Sequence, residues 1–297
     1  MENRPPPICD YEGSDYQDVF WEQGDREYED QVEAIALKRL LPTGGNIFLE
    51  LGAGAGRNTS RYHGFRRIVL LDYSFTQLQR ARSKLGASGH YTYVAADIYR
   101  LPFIDGLFDT ATMIRTIHHF ANVPLALSQI RRTLIPGAVF ILEYANKHNL
   151  KAILRFILRR QKWSPFSPEP IEFINLNFDF HPKSMRTWLV ENGFQIERQL
   201  TVSHFRLGQL KKTFPVSWLV HLDSLVQLTG NFWQLSPSVF TRSIAIGSSP
   251  IAPPGGFFCC PECEYSPLTE NPEFLDCPCC EHRWIIRDGI YDFRRDQ

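Results

Sequence analysis

Short apolar runs alternate with amphipathic stretches along most of the chain. Residues 47–49 are apolar and close on Glu50, and residues 67–71 (RIVLL) close on Asp72. Comparable runs follow at 91–95, from Asp109 to Arg115, and at 138–142, 194–202 and 239–246. Runs of that length bounded by turn residues read as buried strands. Between them, residues 28–41 set Val32, Ile35, Ala36 and Leu40 on one stripe, and 75–85, 125–134 and 184–192 repeat the helical period. Residues 57–62, directly after a glycine cluster, are expected to start a further helix. Strands that alternate with helices build a parallel sheet covered on both faces. The expected fold is α/β, a doubly wound and mostly parallel sheet of seven strands.

Three stretches depart from that rhythm. Residues 147–162 place Leu150, Ile153, Leu154, Ile157 and Leu158 on one face, with Lys151, Arg155, Arg159, Arg160 and Lys162 mostly on the other. Such a helix can lie on a membrane or touch RNA; we read it first as a core-packing helix with a solvated face. The Pro-broken, aromatic stretch after it suits a loop wall over a pocket, and residues 207–228 form an apolar helical segment broken at Pro215. Residues 1–30 are acidic yet carry Tyr16, Phe20, Trp21 and Tyr28, too many large aromatics for a free tail. The expected organisation is an N-terminal arm (1–30), a main domain (31–247) with inserts at 146–180 and 205–237, a Pro/Gly linker (248–256) and a small module (257–297).

Composition narrows the setting. The 297 residues carry a formal net charge of zero, so no global basic field points to nucleic acid, which stays possible but not favoured. No apolar run approaches the length of a membrane span. The N-terminus lacks the pattern of a signal peptide, and a reducing cytoplasm is the expected location. Six of the seven cysteines crowd into the last forty residues, which reads as metal binding rather than disulfides.

The chemistry concentrates at residues 48–57, FLELGAGAGR, a strand that ends in a carboxylate and breaks into Gly52, Gly54 and Gly56. Bare backbone after a strand lets a nucleotide-like ligand approach closely. A dinucleotide fingerprint would place its third glycine where Arg57 stands; this chain has acid-x-G-x-G-x-G instead. Asp72 lies twenty residues after Gly52, the distance at which a carboxylate can accept ribose hydroxyls. Either a dinucleotide enzyme or a methyltransferase would use an acid there.

The glycine pattern resembles motif I of the class I S-adenosylmethionine-dependent methyltransferases. LDYSFTQLQRAR, AADIYRLPFIDGLFD, HHF and QIRRTLIPGAVFILE follow in the order and at the spacings of the methyltransferase type 11 group, covering about residues 45–145. The resemblance implies S-adenosylmethionine as cofactor. It implies that Glu50 orients the methionine end, that Gly52, Gly54 and Gly56 make room, and that Tyr73 lies along the nucleoside. Asp97 would take the adenine amino group and the Ile98 N–H a ring nitrogen. In related enzymes the segment before motif I often folds over the cofactor as a lid.

On the acceptor side, His118 and His119 follow the fourth strand and are candidates for contact with substrate or for proton transfer. Arg115 can bind an anionic acceptor or pair with the acidic N-terminal arm, and Tyr144 is a weaker candidate. No N/D-P-P-Y/F motif follows the fourth strand, which lowers nucleic-acid bases as acceptors. The methyl acceptor is unidentified: a small or lipid-like molecule is favoured. An RNA or protein acceptor recognised through the C-terminal module is the alternative, and a non-catalytic scaffold is disfavoured.

That module holds two C-x-x-C knuckles, Cys260–Cys263 and Cys277–Cys280, separated by thirteen residues. Four thiolates so paired suit tetrahedral zinc, with Cys259 and Cys279 as spectators. CPCCEHRWIIRDGI resembles the zinc-ribbon family of small methyltransferase activators, which bind a catalytic chain as separate partners. The expectation here is a fused ribbon docked in cis, burying Phe257, Phe258, Trp284 and Ile285; the alternative is a recognition ribbon on a flexible tether.

Overall fold

The computed structural model describes residues 6–10, 12, 13, 26–248 and 250–295. Of the N-terminal aromatics, Tyr16, Phe20 and Trp21 lie outside the described residues. Helix α1 (Glu27–Leu40) leads into β1 (Gly45–Leu51), β2 (Phe65–Asp72), α2 (Phe75–Leu85), β3 (Tyr91–Ala95), β4 (Phe108–Met113), α3 (Val123–Thr133) and β5 (Leu134–Ala145). Helix α4 (Leu150–Ile157) and a hairpin of β6 (Ile171–Ile174) and β7 (Asn177–Asp179) follow. Then come α5 (Pro182–Glu191), β8 (Phe194–Val202), α6 (Gly208–Thr213), α7 (Val216–Val226) and β9 (Ser238–Ala245).

The main sheet has eleven strands, not the expected seven. Seven of them run in the order β3-β2-β1-β4-β5-β9-β8, parallel from β3 to β5, with β9 antiparallel to both of its neighbours. Strand order reverses between β1 and β4, where such sheets open a crevice. Side chains alternate across the sheet as a period of two requires. On β5, Val139 and Ile141 join the cluster of α1 and α7, while Phe140 and Leu142 join that of α3 and α5. The α1–α7 contact is keyed by buried Tyr28, whose hydroxyl donates to Asp223 Oδ2 at 2.7 Å.

The other four strands come from the C-terminal module: β10 (Thr269–Glu270), β11 (Phe274–Asp276), β12 (Arg283–Arg287) and β13 (Ile290–Asp292). Strand β13 pairs in parallel with β3, Ile290 beside Tyr93 and Asp292 beside Ala95, and Phe293 N–H donates to Ala95 O at 2.7 Å. An open β3 edge would present unpaired backbone groups, and β13 covers them. Phe258 stacks on Phe103 and touches Tyr291 and Phe293, and Trp284 is 1% exposed. Ile285, expected to be buried, is 48% exposed. It neighbours Trp284 on β12, so the strand's alternation turns it to solvent. The Pro/Gly stretch before the module is not a loose tether: Ala252 N–H donates to Gly106 O at 2.9 Å, and a Cβ on Gly106 would collide with Pro250 O.

Two helical expectations need correction. Residues 57–62 contain only a 3-10 turn, Thr59–Arg61. Gly52, Gly54 and Gly56 all adopt positive φ in the connection from β1, and the chain turns extended again at Tyr62 to enter β2, so only a single turn forms between them. The 147–162 segment is helical only over α4, and its apolar stripe does not pack on the core. Leu150, Leu154, Ile157 and Leu158 are 50–65% exposed, and Ala152 is the helix's buried residue.

Glu33 of α1 ties that helix to the glycine corner and to the end of β4. Its buried carboxylate takes the guanidinium of Arg57, Arg115 Nε at 2.7 Å and Asn58 Nδ2 at 3.4 Å. Burial alone would raise its pKa, but Arg57 and Arg115 together hold it at about 2, against 4.5 for a free glutamate. A lowered carboxylate stabilises the fold above the unfolded value and loses that contribution as pH falls through the folded one.

Glu33→Gln is expected to cost about 3 kcal/mol near neutral pH by removing the buried carboxylate that Arg57 and Arg115 share. The melting gap to the parent protein should stay constant from pH 8 to about pH 5 and shrink as pH falls towards 2. A gap that does not change with pH would refute the assignment. Deleting residues 250–297 uncovers the β3 edge and strips Phe258, Trp284 and Phe293 from the core. Melting should fall on the order of 10 °C, and a truncated chain melting like the full one would show that the module contributes nothing.

Candidate active site

A cavity opens at the carboxyl ends of β1, β2 and β4, at the reversal of strand order. Glu50, Gly54 and Asp72 line one side of it, and Arg115, Thr116 and His119 the other. Gly52 must be bare: at φ +68°, a Cβ would sit 2.2 Å from Thr116 Oγ1. Its N–H and that of Ala53 donate to Leu71 O, which fixes the corner against β2. Gly54, at φ +52°, meets no atom within 4 Å of where a Cβ would stand, so the backbone there fronts open space. Gly56 lies away from the cavity; a Cβ would press on Leu85 of α2, so its bareness serves packing.

The acids split. Glu50 is 5% exposed, and burial raises its carboxyl to about 7 against the opposing hydrogen bond from Thr59 Oγ1 at 2.6 Å. Asp72 accepts Gly54 N–H at 2.7 Å and Ser74 N–H at 2.9 Å; burial raises its pKa and these bonds oppose the shift. One oxygen of Asp72 thus shapes the glycine corner and the other starts α2. Asp97 does not join them on the cavity wall. Its Oδ1 caps Tyr99 N–H at 2.8 Å at the head of a 3-10 turn, and Ala96, Ile98 and Tyr99 line the cavity in its place. Tyr73 lines the cavity beside Asp72.

Across the cavity, Arg115 sits at φ +55°, its N–H donating to Glu143 Oε2 at 2.9 Å and its Nε to Glu33. Of the two roles read from sequence, pairing with an N-terminal acid is the one its side chain makes, although that acid belongs to α1. His119 Nδ1 lies 2.9 Å from Leu176 O, in the turn of the β6–β7 hairpin. A carbonyl only accepts, so Nδ1 carries the hydrogen and a neutral ring has its lone pair on Nε2. Burial lowers the pKa of His119 and keeps the ring neutral near pH 7. His118 lies off the cavity, its ring centroid 4.0 Å from that of His119, and burial lowers its pKa further. Tyr144 is fully buried with an unpartnered hydroxyl, away from the cavity wall.

Sequence reasoning missed several wall residues. Ile8 and Cys9 of the N-terminal segment line the cavity, and Glu12 accepts the N–H groups of Phe75 and Thr76 at 2.8 and 3.1 Å, capping α2. Arg294, just past β13, reaches Glu12 at 3.0 Å and Tyr73 O at 3.4 Å. The C-terminal module therefore touches both the cavity wall and the segment over it. No local motif announces such a long-range ion pair.

The sulfurs of Cys260, Cys263, Cys277 and Cys280 all lie within 4.8 Å of one another, two pairs at 3.6 and 3.4 Å. Tetrahedral zinc with bonds near 2.3 Å sets sulfurs about 3.8 Å apart, so the cluster fits the ion. Glu264 and Glu281, each directly after a second cysteine, adopt positive φ, and each donates its N–H back to the first cysteine's carbonyl. Cys259 turns away to Phe103 O, and Cys279 is exposed.

Comparison with known proteins places this geometry. The C-methyltransferase UbiE of ubiquinone/menaquinone biosynthesis from Pseudomonas savastanoi pv. phaseolicola is 28% identical over 167 residues, 50% of this chain and 65% of that protein. The O-methyltransferase cnsE of Penicillium expansum is 29% identical over 133 residues, 41% of this chain and 48% of that protein. The chain thus spans about half to two thirds of the length of these relatives. A chain of the solved complex between the Haloferax volcanii Trm112 methyltransferase activator and its putative methyltransferase superposes with a TM-score of 0.54 at 17% identity, covering 78% of this chain and 95% of that one. The fold is the Rossmann-like fold of S-adenosylmethionine-dependent methyltransferases of known structure, and residues 49–142 match the family of methyltransferase domains.

Proposed function

We propose that the chain transfers a methyl group from S-adenosylmethionine to a small, lipid-like acceptor. The observation that carries this reading is the cavity at the strand-order reversal, where a bare Gly54, Glu50 and Asp72 converge within the segment matching methyltransferase domains. Bound S-adenosylmethionine would supply a methyl group on a sulfonium. Asp72 would take ribose hydroxyls on the oxygen edges its backbone donors leave, and Ala96 and Ile98 would flank the adenine. Asp97, turned to its cap, would act on the adenine only through the turn it holds. Glu50 would orient the methionine end and Tyr73 would lie along the nucleoside, with Gly52 and Gly56 shaping the corner.

On the opposite wall, His119 Nε2 would accept the proton of an acceptor hydroxyl or amine as the oxygen or nitrogen takes the methyl group. His118 would position His119 by packing. Arg115, held by Glu33, would fix the wall rather than bind an anion. Holding the acceptor in line in a dry cavity supplies much of the rate, on the order of 7–11 kcal/mol at best. A lipid-like acceptor agrees with UbiE among the relatives and with the apolar side chains beside the hairpin that touches His119.

We read the C-terminal module as a zinc ribbon fused to the chain that needs it, in the way the Haloferax complex joins an activator to a methyltransferase. Its strand and its aromatic residues are engaged by the main domain, which favours support over recognition of a macromolecule. The purified protein should contain one zinc per chain. Cys277→Ser should lose it and melt as low as the truncated chain, whereas zinc-free protein with unchanged melting would overturn the metal.

Calorimetry should give a heat for S-adenosylmethionine, and Gly54→Asn, a side chain that tolerates the left-handed backbone and enters the cavity, should weaken binding at least about tenfold while melting within a few degrees of the parent. No heat would refute the cofactor. With radiolabelled methyl donor and a fractionated lysate, label should enter the solvent-extractable fraction. Label in RNA or protein would replace the acceptor class.

A further inference from the structure

We propose that the face built from α4, the β6–β7 hairpin and the end of α7 docks on an anionic lipid surface. Around α4, at 100° per residue, Ala152, Ile153 and Phe156 face the protein. Leu150, Leu154 and Ile157 point outward, with Lys151 and Arg155 along one side of that stripe, and Leu158, Arg159 and Lys162 follow exposed just past the helix end. All four of these cations and Arg160 are exposed, and no carboxylate occurs between Glu143 and Glu169.

The exposed stripe continues beyond α4. Phe166, 51% exposed, packs on Phe156 and His148, and exposed Phe173 of the hairpin packs on Trp163. At the other end of α4, Leu150 N–H donates to Leu235 O at 2.8 Å, which brings exposed Phe232 and Trp233 alongside. On α7 and the turn after it, Trp218, Leu222, Leu225, Leu228 and Phe232 recur at helical spacing and are 45–84% exposed. Large apolar side chains gathered on one surface mark an interaction site.

The chemistry of the fringe selects the occupant. A protein partner's apolar face would not require five exposed cations in the stretch beside it, and RNA would not require the apolar stripe. A bilayer with acidic headgroups satisfies both: side chains enter the headgroup boundary while Lys and Arg stay at the phosphates. Among the described residues no helix is long and apolar enough to cross a membrane, so the contact is interfacial. The docking inference stands on these exposed groups alone. Its link to the cavity, through the hairpin that touches His119, rests on the methyltransferase reading.

Flotation of the full-length protein with vesicles of phosphatidylcholine containing about one third phosphatidylglycerol tests it. The protein should float with them, several-fold less with phosphatidylcholine alone, and less again in high salt. Leu154→Glu with Ile157→Glu should reduce flotation at least about tenfold while melting and S-adenosylmethionine binding stay unchanged, because both side chains are already in solvent. Failure to float, or flotation indifferent to the double variant, overturns the proposal. So does a vesicle-free dimer that the variant dissolves, or retention on RNA in place of vesicles. Loss of cofactor binding in the parent protein would instead strike the methyltransferase reading and leave the docking result standing.

Discussion

The pairing of β13 with β3 is the contact on which the rest of the structure leans. Strand β3 leads to Ala96 at the cavity edge, and left open it would end the sheet in unsatisfied backbone groups. Three residues of β13 continue the ladder, and the aromatic cluster of Phe258, Phe293 and Trp284 seals the seam with Phe103. The same pairing delivers Arg294 to Glu12 and Tyr73. The module that holds the four-cysteine cluster thus meets the cavity wall through one strand and one guanidinium.

Charge organises the opposite end of the cavity. Glu33 is the acid that two arginines share, and it draws the glycine corner, α1 and the end of β4 to one point. Glu50 sits nearby with burial acting against its ionisation and fewer compensating partners. Two buried glutamates separated mainly by their cationic company thus titrate in opposite directions. One behaves as a fixed structural anion, and the other has a proton within reach of neutral pH.

Much of this was legible in the sequence because it rests on local chemistry. The glycine corner, the strand-end acids at 50 and 72 and the cysteine knuckles each follow from residue type and spacing. What stayed hidden was the direction of side chains and the identity of long-range partners. Asp97 was read as a partner of the adenine amino group, and one of its oxygens caps the backbone of its own turn. The stripe on α4 was read as core because amphipathicity shows that a face is apolar and not what lies against it. Ile285 was counted as buried with Trp284, although neighbours on a strand face opposite ways. Four extra strands escaped the count because short hairpins around cysteines carry little period-two signal.

That β13 is covalently continuous with β3 has a consequence for supply. A separately encoded edge strand must be made in matching amounts, must find its client by diffusion, and can be drawn off by competitors. Here the two are produced one to one, at an effective local concentration on the order of millimolar. Dosage of the edge strand cannot limit the sheet it completes, and no rival can titrate that strand away.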